Sequence, residues 1–306
     1  MDFTLSSDQS AVLTAIDTLA KPFAAIPTNL STFDLYSEEL DRALDAGGFF
    51  DIAADADLGP LTAALVVDRL ATLPFCSEVA VSMVVRATLC ADLPRPVCLV
   101  AADQLQHPIR FLSKAASVLV MDGDAVRAIA IDPASVASVH SLFAYPMGKF
   151  VDGRAPGQEI RRPDIAADKL RHWWQVALAA EVAGLLKGAI DSTVTYVTDR
   201  HQFGRAIGSF QAVRHRMAEA SVRATGVRWM ALEAAATGDA AQAALAALHA
   251  QESANAVIYD LHQFLGAMGI TLAHPLHLWT YRLKALLSEM GGRAAQGHAA
   301  AEFIGR

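Results

Sequence analysis

Cysteine is scarce in this 306-residue chain: Cys76, Cys90 and Cys98 all lie in apolar surroundings, and none belongs to a Cys-x-x-Cys pair. That spacing excludes a zinc ribbon or a disulfide framework and fits inert core thiols in a reducing, cytoplasmic setting. Long uncharged apolar runs are also missing. No stretch reaches the roughly 18 residues a membrane span requires, so none is expected. The most apolar long segment, Val176 to Ile190, is interrupted by Glu181 and Lys187 and fits a helix buried among other helices. The opening MDFTLSSDQSAVLTAIDTLA lacks a basic stretch ahead of its apolar part, which argues against a secretory signal. An overall basic balance is absent too: 25 Lys and Arg face 32 Asp and Glu, a net charge of -7. Such a chain is not a general nucleic-acid binder, because neutralising phosphates takes an extended basic surface.

One window runs against that balance. Between Arg200 and Arg228 stand Arg200, Arg205, Arg214, Arg216, Arg223 and Arg228, with Glu219 the single acid. A local positive excess on an acidic chain points to an anionic ligand. The bland alternative is a solvated helix face, which suits most of the arginines at 214, 216, 223 and 228.

The texture changes twice along the chain. From Ser6 to about Asp92 apolar residues such as Val12, Ile16 and Leu19 recur at helical spacing, with Ser7-Asp8 as the expected cap. From Pro94 the runs VCLVAA, SVLVMDG, AVRAIAID and SVHSLFAY are separated by Asp, Gly and Pro, which predicts a small antiparallel β-domain with a hairpin at MDGDAV. After RRPD the pattern is helical again. One long helix is expected over 167–199, with Trp173, Val176, Ala180, Ala183, Lys187, Ile190 and Val194 on one face. Further helices are expected over about 211–236 and 239–265, and a fourth after Pro275. The predicted fold class is mainly α with a small β-domain: an N-terminal helical domain (1–93), a short middle β-domain (94–164) and a C-terminal four-helix bundle (165–306).

Two motifs give this order a meaning. The first is YVTDRHQFGRAIGSFQ, Tyr196 to Gln211; the second is QFLGAMGIT, Gln263 to Thr271, followed by AHPLHLWTYRL. Gln211 and Gln263 lie 52 positions apart. In order and spacing the pair resembles the Y...R..FG..I..FQ and Q..GG.G signatures of the acyl-CoA dehydrogenase family, and the resemblance extends over nearly the whole chain. It implies an FAD-dependent enzyme that oxidises the α,β carbon-carbon bond of an acyl-CoA thioester and passes electrons to an electron-transfer flavoprotein. It also implies an oligomer, since the second turn reaches the flavin of a neighbouring subunit. Arg200 would hold the pyrophosphate, a task that suits a forked guanidinium. Gln202, Phe203, Gly204, Gln211, Gln263, Gly266 and Ala267 would complete the cofactor's surroundings, with no metal involved.

The family's catalytic base is a glutamate, placed either in a loop after the PLH segment or on the long helix before the arginine motif. Counted from the motifs, these positions fall on Met290 and Trp174. The acid next to the first, Glu289, is the candidate base; the bland alternative is a solvated helix-end carboxylate. The family's TEP..GSD-like segment is not visible in VCLVAADQLQHPIRFLSKAA. That absence and the short length resemble the reduced subunits of heteromeric acyl-CoA dehydrogenases. The alternative reading is therefore a non-catalytic subunit that completes the flavin site of a catalytic partner. Trp173 and Trp174 are expected in core or interface packing, Cys98 as a buried thiol, and the His274-x-x-His277 pair as no metal site.

Overall fold

A computed structural model of the chain describes residues 4–28, 33, 35–153, 159–162 and 164–304. Helices α1 (Ser7–Ala20), α2 (Glu38–Ala46) and α3 (Gly59–Ala71) come first, followed by a π-helical turn, Val81–Arg86, that runs into α4 (Ala87–Leu89). The cap of α1 is Ser6 rather than Ser7-Asp8: its hydroxyl accepts from the Gln9 amide while the Gln9 side chain accepts from the Ser6 amide. This reciprocal pair satisfies two of the donors a helix start leaves open.

The strands are β1 (Val97–Ala101), β2 (Ile109–Arg110), β3 (Ser117–Asp122), β4 (Ala125–Ala130), β5 (Val136–Val139), β6 (Met147–Phe150) and β7 (Glu159–Arg161). They form one sheet in the order β1-β3-β4-β7 and another in the order β2-β6-β5. The hairpin expected at MDGDAV joins β3 to β4. Two expectations need correction. β1 and β3 pair in parallel, from Val97 opposite Ser117 to Ala101 opposite Met121, so the β-region is mixed rather than antiparallel. The run SVHSLFAY is strand only as far as Val139, and its Ala144 sits at φ 58, a left-handed conformation that ends an extended run.

The remaining elements are α5 (Ala167–Asp199), a two-residue ribbon of β8 (His201–Gln202) and β9 (Arg205–Ala206), α6 (Gln211–Thr237), α7 (Ala240–Leu265), α8 (His277–Leu286) and α9 (Gly292–Ile304). α5 is the axis of the molecule and packs against α3, α6, α7 and α8. It is buried nearly all round over Trp174–Leu186, so the single apolar face expected for it does not exist; Lys187 and Val194 of that stripe are exposed. Close approach is what makes the burial work. A Cβ on Gly188 would lie 2.8 Å from Thr72 O and collide with the Trp279 indole, and alanines such as Ala220, Ala224, Ala247, Ala250 and Ala254 fill the α6 and α7 interfaces. Alanine gives up almost no rotamer entropy on burial, so an alanine-rich bundle packs tightly at small cost. Asp239 caps α7 by accepting from the Gln242 amide, and Gly238 in the left-handed conformation ends α6. The fourth helix of the expected bundle is broken in two. Between α8 and α9 lies the turn Glu289–Gly291, where Met290 has φ 56.

Candidate active site

Two concave sites lie near opposite ends of α5. The inner cavity, about 610 Å³, is enclosed by β1, the β2 segment, the start of α5 and the turn between α8 and α9. The outer cradle, about 710 Å³, is formed by the end of α5, the β8–β9 ribbon, the start of α6 and the turn after α7.

The cradle gathers six residues anticipated from the motifs: Arg200, Gln202, Phe203, Gln263, Gly266 and Ala267 all line it. The ribbon pairs His201 with Ala206 and Gln202 with Arg205, so Phe203 and Gly204 are its two turn residues. Both have positive φ, 54 and 80, as the tightest hairpin turn requires. Phe203 is thereby held with 87% of its surface exposed, edge-on to Phe210. Gly266 stands at φ 57 and ψ -130, open to non-glycine residues only at high strain, and a Cβ on it would meet nothing within 4 Å. Gly204, at the tip, and Gln211, the first residue of α6, sit beside the cradle without lining it. Among the described residues the Arg200 guanidinium has no side-chain partner, whereas the neighbouring Arg216 is tied to Asp260. The unpaired cation, the bare aromatic and the glycine turn fit a flat, doubly anionic ligand such as a dinucleotide. Of the remaining basic residues considered with the cradle, Arg228 is taken up by Asp68 at 2.9 Å.

His262, at the end of α7, props this turn from behind: Nδ1 lies 2.6 Å from Gly269 O and Nε2 lies 3.0 Å from Thr280 Oγ1. Burial lowers its affinity for a proton below the ordinary imidazole value. His277 Nδ1 lies 3.0 Å from His274 O, and His274 Nδ1 accepts from the Leu276 amide at 3.1 Å.

The inner cavity holds Glu289. Its Oε1 accepts from Trp174 Nε1 at 2.8 Å and from Arg110 Nη2 at 3.1 Å. Among the described residues Oε2 accepts from none. The turn that carries Glu289 is pinned by buried amides: Gln251 donates to Leu286 O and Glu289 O, and Gln296, itself bonded to Gln175, donates to Met290 O. Trp174 is therefore part of the cavity wall and of the carboxylate's hydrogen bonding, not merely the core packing expected of it. Cys98 also lines the cavity, its thiol pushed up by burial and by the nearby Glu78 carboxylate, which keeps it protonated.

Sequence reasoning missed Arg110. It is largely buried, with 12% of its side chain exposed, and lies between two acids: its Nη1 donates to both oxygens of Glu181, at 3.0 and 2.8 Å, while Nη2 reaches Glu289. Tyr145 Oη donates to Glu181 at 2.7 Å. Burial works against the guanidinium's charge, but the Glu181 and Glu289 carboxylates outweigh it and hold the group more firmly protonated than an ordinary arginine. The same burial, with Glu181 beside it, pushes the Tyr145 phenol up. One signal was available, since a lone acid such as Glu181 inside a buried apolar helix needs a cationic partner.

The two positions counted for a base, Trp174 on α5 and the Glu289–Met290 turn, are 115 residues apart in sequence and meet across one hydrogen bond. From Trp174 to Tyr196, which lines the cradle, α5 rises roughly 33 Å at 1.5 Å per residue. The inner cavity and the cradle of one chain are thus well separated.

Residues 171–300 match a sequence model described as acyl-CoA dehydrogenase, C-terminal domain. Over that span, 130 of its 306 residues, the chain is similar to that domain. Over 105 residues it is 41% identical to the acyl-CoA dehydrogenase IpdE2 of Mycolicibacterium smegmatis, a match covering 34% of each chain. The chain spans about a third of the length of the curated relatives of that name that it matches. Across its full length it has the fold of solved acyl-CoA dehydrogenase structures. A chain of the ChsE4-ChsE5 complex from Mycobacterium tuberculosis superposes with a TM-score of 0.80 at 20% identity, covering 100% of this chain and 99% of that one. PigA with FAD and proline superposes with a TM-score of 0.74 at 18% identity, covering 100% and 99%.

Proposed function

We propose that this chain is a subunit of an FAD-dependent acyl-CoA dehydrogenase and that Glu289 is its base. The observation that carries the reading is a carboxylate lining a cavity, with Oε1 held by two donors and Oε2 left to accept a proton. Removal of an α-proton from a thioester needs a base fixed against the carbon acid. The pinned turn and the indole of Trp174 supply that fixation, and β1 and α5 contribute apolar walls to the cavity. Bound flavin would supply the hydride acceptor. Arg200 would hold its diphosphate, Phe203 would cover a flat face, and Gln202, Gly204, Gln211, Gln263, Gly266 and Ala267 would border it.

The separation of roughly 33 Å along α5 supports a shared arrangement, in which the cradle of one chain serves a flavin whose reacting ring lies in another. The partner is then a second copy or a related subunit, as in the complex whose chain this one superposes on. Acyl-CoA is the substrate class, an electron-transfer flavoprotein the electron acceptor and the cytoplasm the compartment of this reading. It also retains the division at 1–93, 94–164 and 165–306.

A second reading is favoured by one observation. The segment after β1, Ala102 to Pro108, contains no Ser or Thr that could donate a hydroxyl to a flavin ring. On this reading the chain is a non-catalytic subunit whose cradle completes the flavin site of a catalytic partner. The visible absorption spectrum and solution mass of the purified chain, alone and with a co-expressed related subunit, come first. Glu289→Gln then separates the readings. Turnover lost by about two orders of magnitude or more with flavin retained supports the base; unchanged turnover in the complex assigns the chemistry to the partner.

A further inference from the structure

The inner cavity is lined by two arginines, Arg110 and Arg171, neither of which proton abstraction requires. Arg110 is largely buried and bonded to Glu289, and a guanidinium taken this far out of water needs its charge balanced. The structure answers this with a second acid. Glu181 accepts from Arg110 Nη1 through both of its oxygens and from Tyr145 Oη through one of them. The order is Tyr145, Glu181, Arg110, Glu289, Trp174, with each link between 2.7 and 3.1 Å. The links join four parts of the fold: the β5–β6 connection, α5, β2 and the turn before α9.

We propose that Arg110 is a positioning residue for Glu289, with Glu181 and Tyr145 as its counterweight: the arginine and Trp174 lock Oε1, and so aim Oε2 into the cavity. The inference rests on the reading of Glu289 as the base. Three features of the structure favour it over a purely structural ion pair. Arg110 divides its two terminal nitrogens between the two acids; both of its nearer ring neighbours, Phe111 and Tyr145, present their faces to it at 5.2 and 4.9 Å; and Glu289, with Arg110 and Phe111, lines the cavity itself. A guanidinium fork can hold two carboxylates at a fixed angle, which a lysine ammonium cannot.

The test uses the full chain in its flavin-loaded assembly, with tryptophan replaced by 5-fluorotryptophan and the Trp174 resonance assigned from Trp174→Phe. In Arg110→Lys, kcat is expected to fall by about tenfold to a hundredfold while KM stays within about threefold, the mark of an interaction that acts on the chemical step. The Trp174 fluorine signal shifts in Arg110→Lys and moves in the same sense in Glu289→Gln. Should Arg110→Lys fail to fold, the double variant Arg110→Met with Glu181→Gln removes the cation and its buried counter-charge together, and the same two readouts apply. An unmoved Trp174 signal and a kcat within twofold of the parent overturn the proposal. A silent Glu289→Gln with a shifted Trp174 signal instead overturns the assignment of the base while leaving the Arg110 to Glu289 linkage intact.

Discussion

Arg200→Met tests the cradle most directly, because the side chain is exposed and has no side-chain partner among the described residues. Its loss removes no internal bond, so the fold is expected to keep its stability while anion binding weakens. Hydrogen bonds to charged groups contribute about 1.5–3 kcal/mol each, but an exposed pair is screened by solvent, which brings a forked diphosphate contact to about 2 kcal/mol in total. That figure corresponds to roughly a thirtyfold rise in the dissociation constant for FAD. Arg216 serves as the control. It is paired with Asp260, whose side chain is only 13% exposed, so Arg216→Met would leave an uncompensated acid facing the ligand and would also weaken binding. Arg216→Met with Asp260→Asn removes both charges and should restore much of the loss. The assay is flavin titration by fluorescence in the native assembly at low and high salt, with the difference between parent and Arg200→Met shrinking as salt rises. A dissociation constant in Arg200→Met within twofold of the parent at low salt would refute the assignment of Arg200 to the diphosphate.

Gly188→Ala should destabilise the chain by about 1–2 kcal/mol: overpacking against Thr72 O and the Trp279 indole costs about 1–3 kcal/mol, and the gain in helix propensity returns up to about 1. Urea unfolding reads it directly, and an unchanged midpoint would mean that α3 and α5 can part without cost. His172 is buried, with neither ring nitrogen bonded among the described residues, and burial, with Lys169 nearby, holds its proton affinity below the ordinary value. The unfolded chain therefore takes up the proton first, so stability is complete above the unfolded value of about 6.5 and is lost as pH falls below it. His172→Phe should lose less stability than the parent between pH 7.5 and 5.5. His262 and His274, shifted the same way, leave some slope behind, whereas Asp68 and Glu78, raised by burial, act in the opposite sense as they take up protons. Equal losses in parent and variant would show that His172 is not the group being charged.

What the sequence made legible was what depends on neighbours in the chain. The helix over 167–199 begins and ends where the pattern placed it, and α6 and α7 differ from expectation by a single residue at one end each. The β3–β4 hairpin follows from Asp and Gly between two apolar runs. The parallel pairing of β1 with β3 does not, because β-runs carry no mark of direction and the reversal depends on a connection through β2, which belongs to the other sheet. The face of α5 was misjudged for a related reason. A helix surrounded by α3, α6, α7 and α8 has no preferred side, and its Gly and Ala positions are set by the closeness of those neighbours rather than by a stripe.

The same division runs through the two sites. The cradle was legible because it is nearly local: ribbon, Arg200 and the Gln263 turn sit within two motifs whose turn chemistry constrains their residues. The inner cavity was not, because its parts are joined only by folding. Arg110 lies 71 residues from Glu181 and 179 from Glu289, and nothing in HPIRFLS marks an arginine that will be buried. The one local clue was the acid inside the apolar run Val176 to Ile190. A carboxylate there must find a cation or lose its charge, so Glu181 announced that a partner existed without naming it. Trp174 holds the counted helix position and Glu289 stands one residue from the counted loop position, and only folding brings that indole and that carboxylate within 2.8 Å of each other.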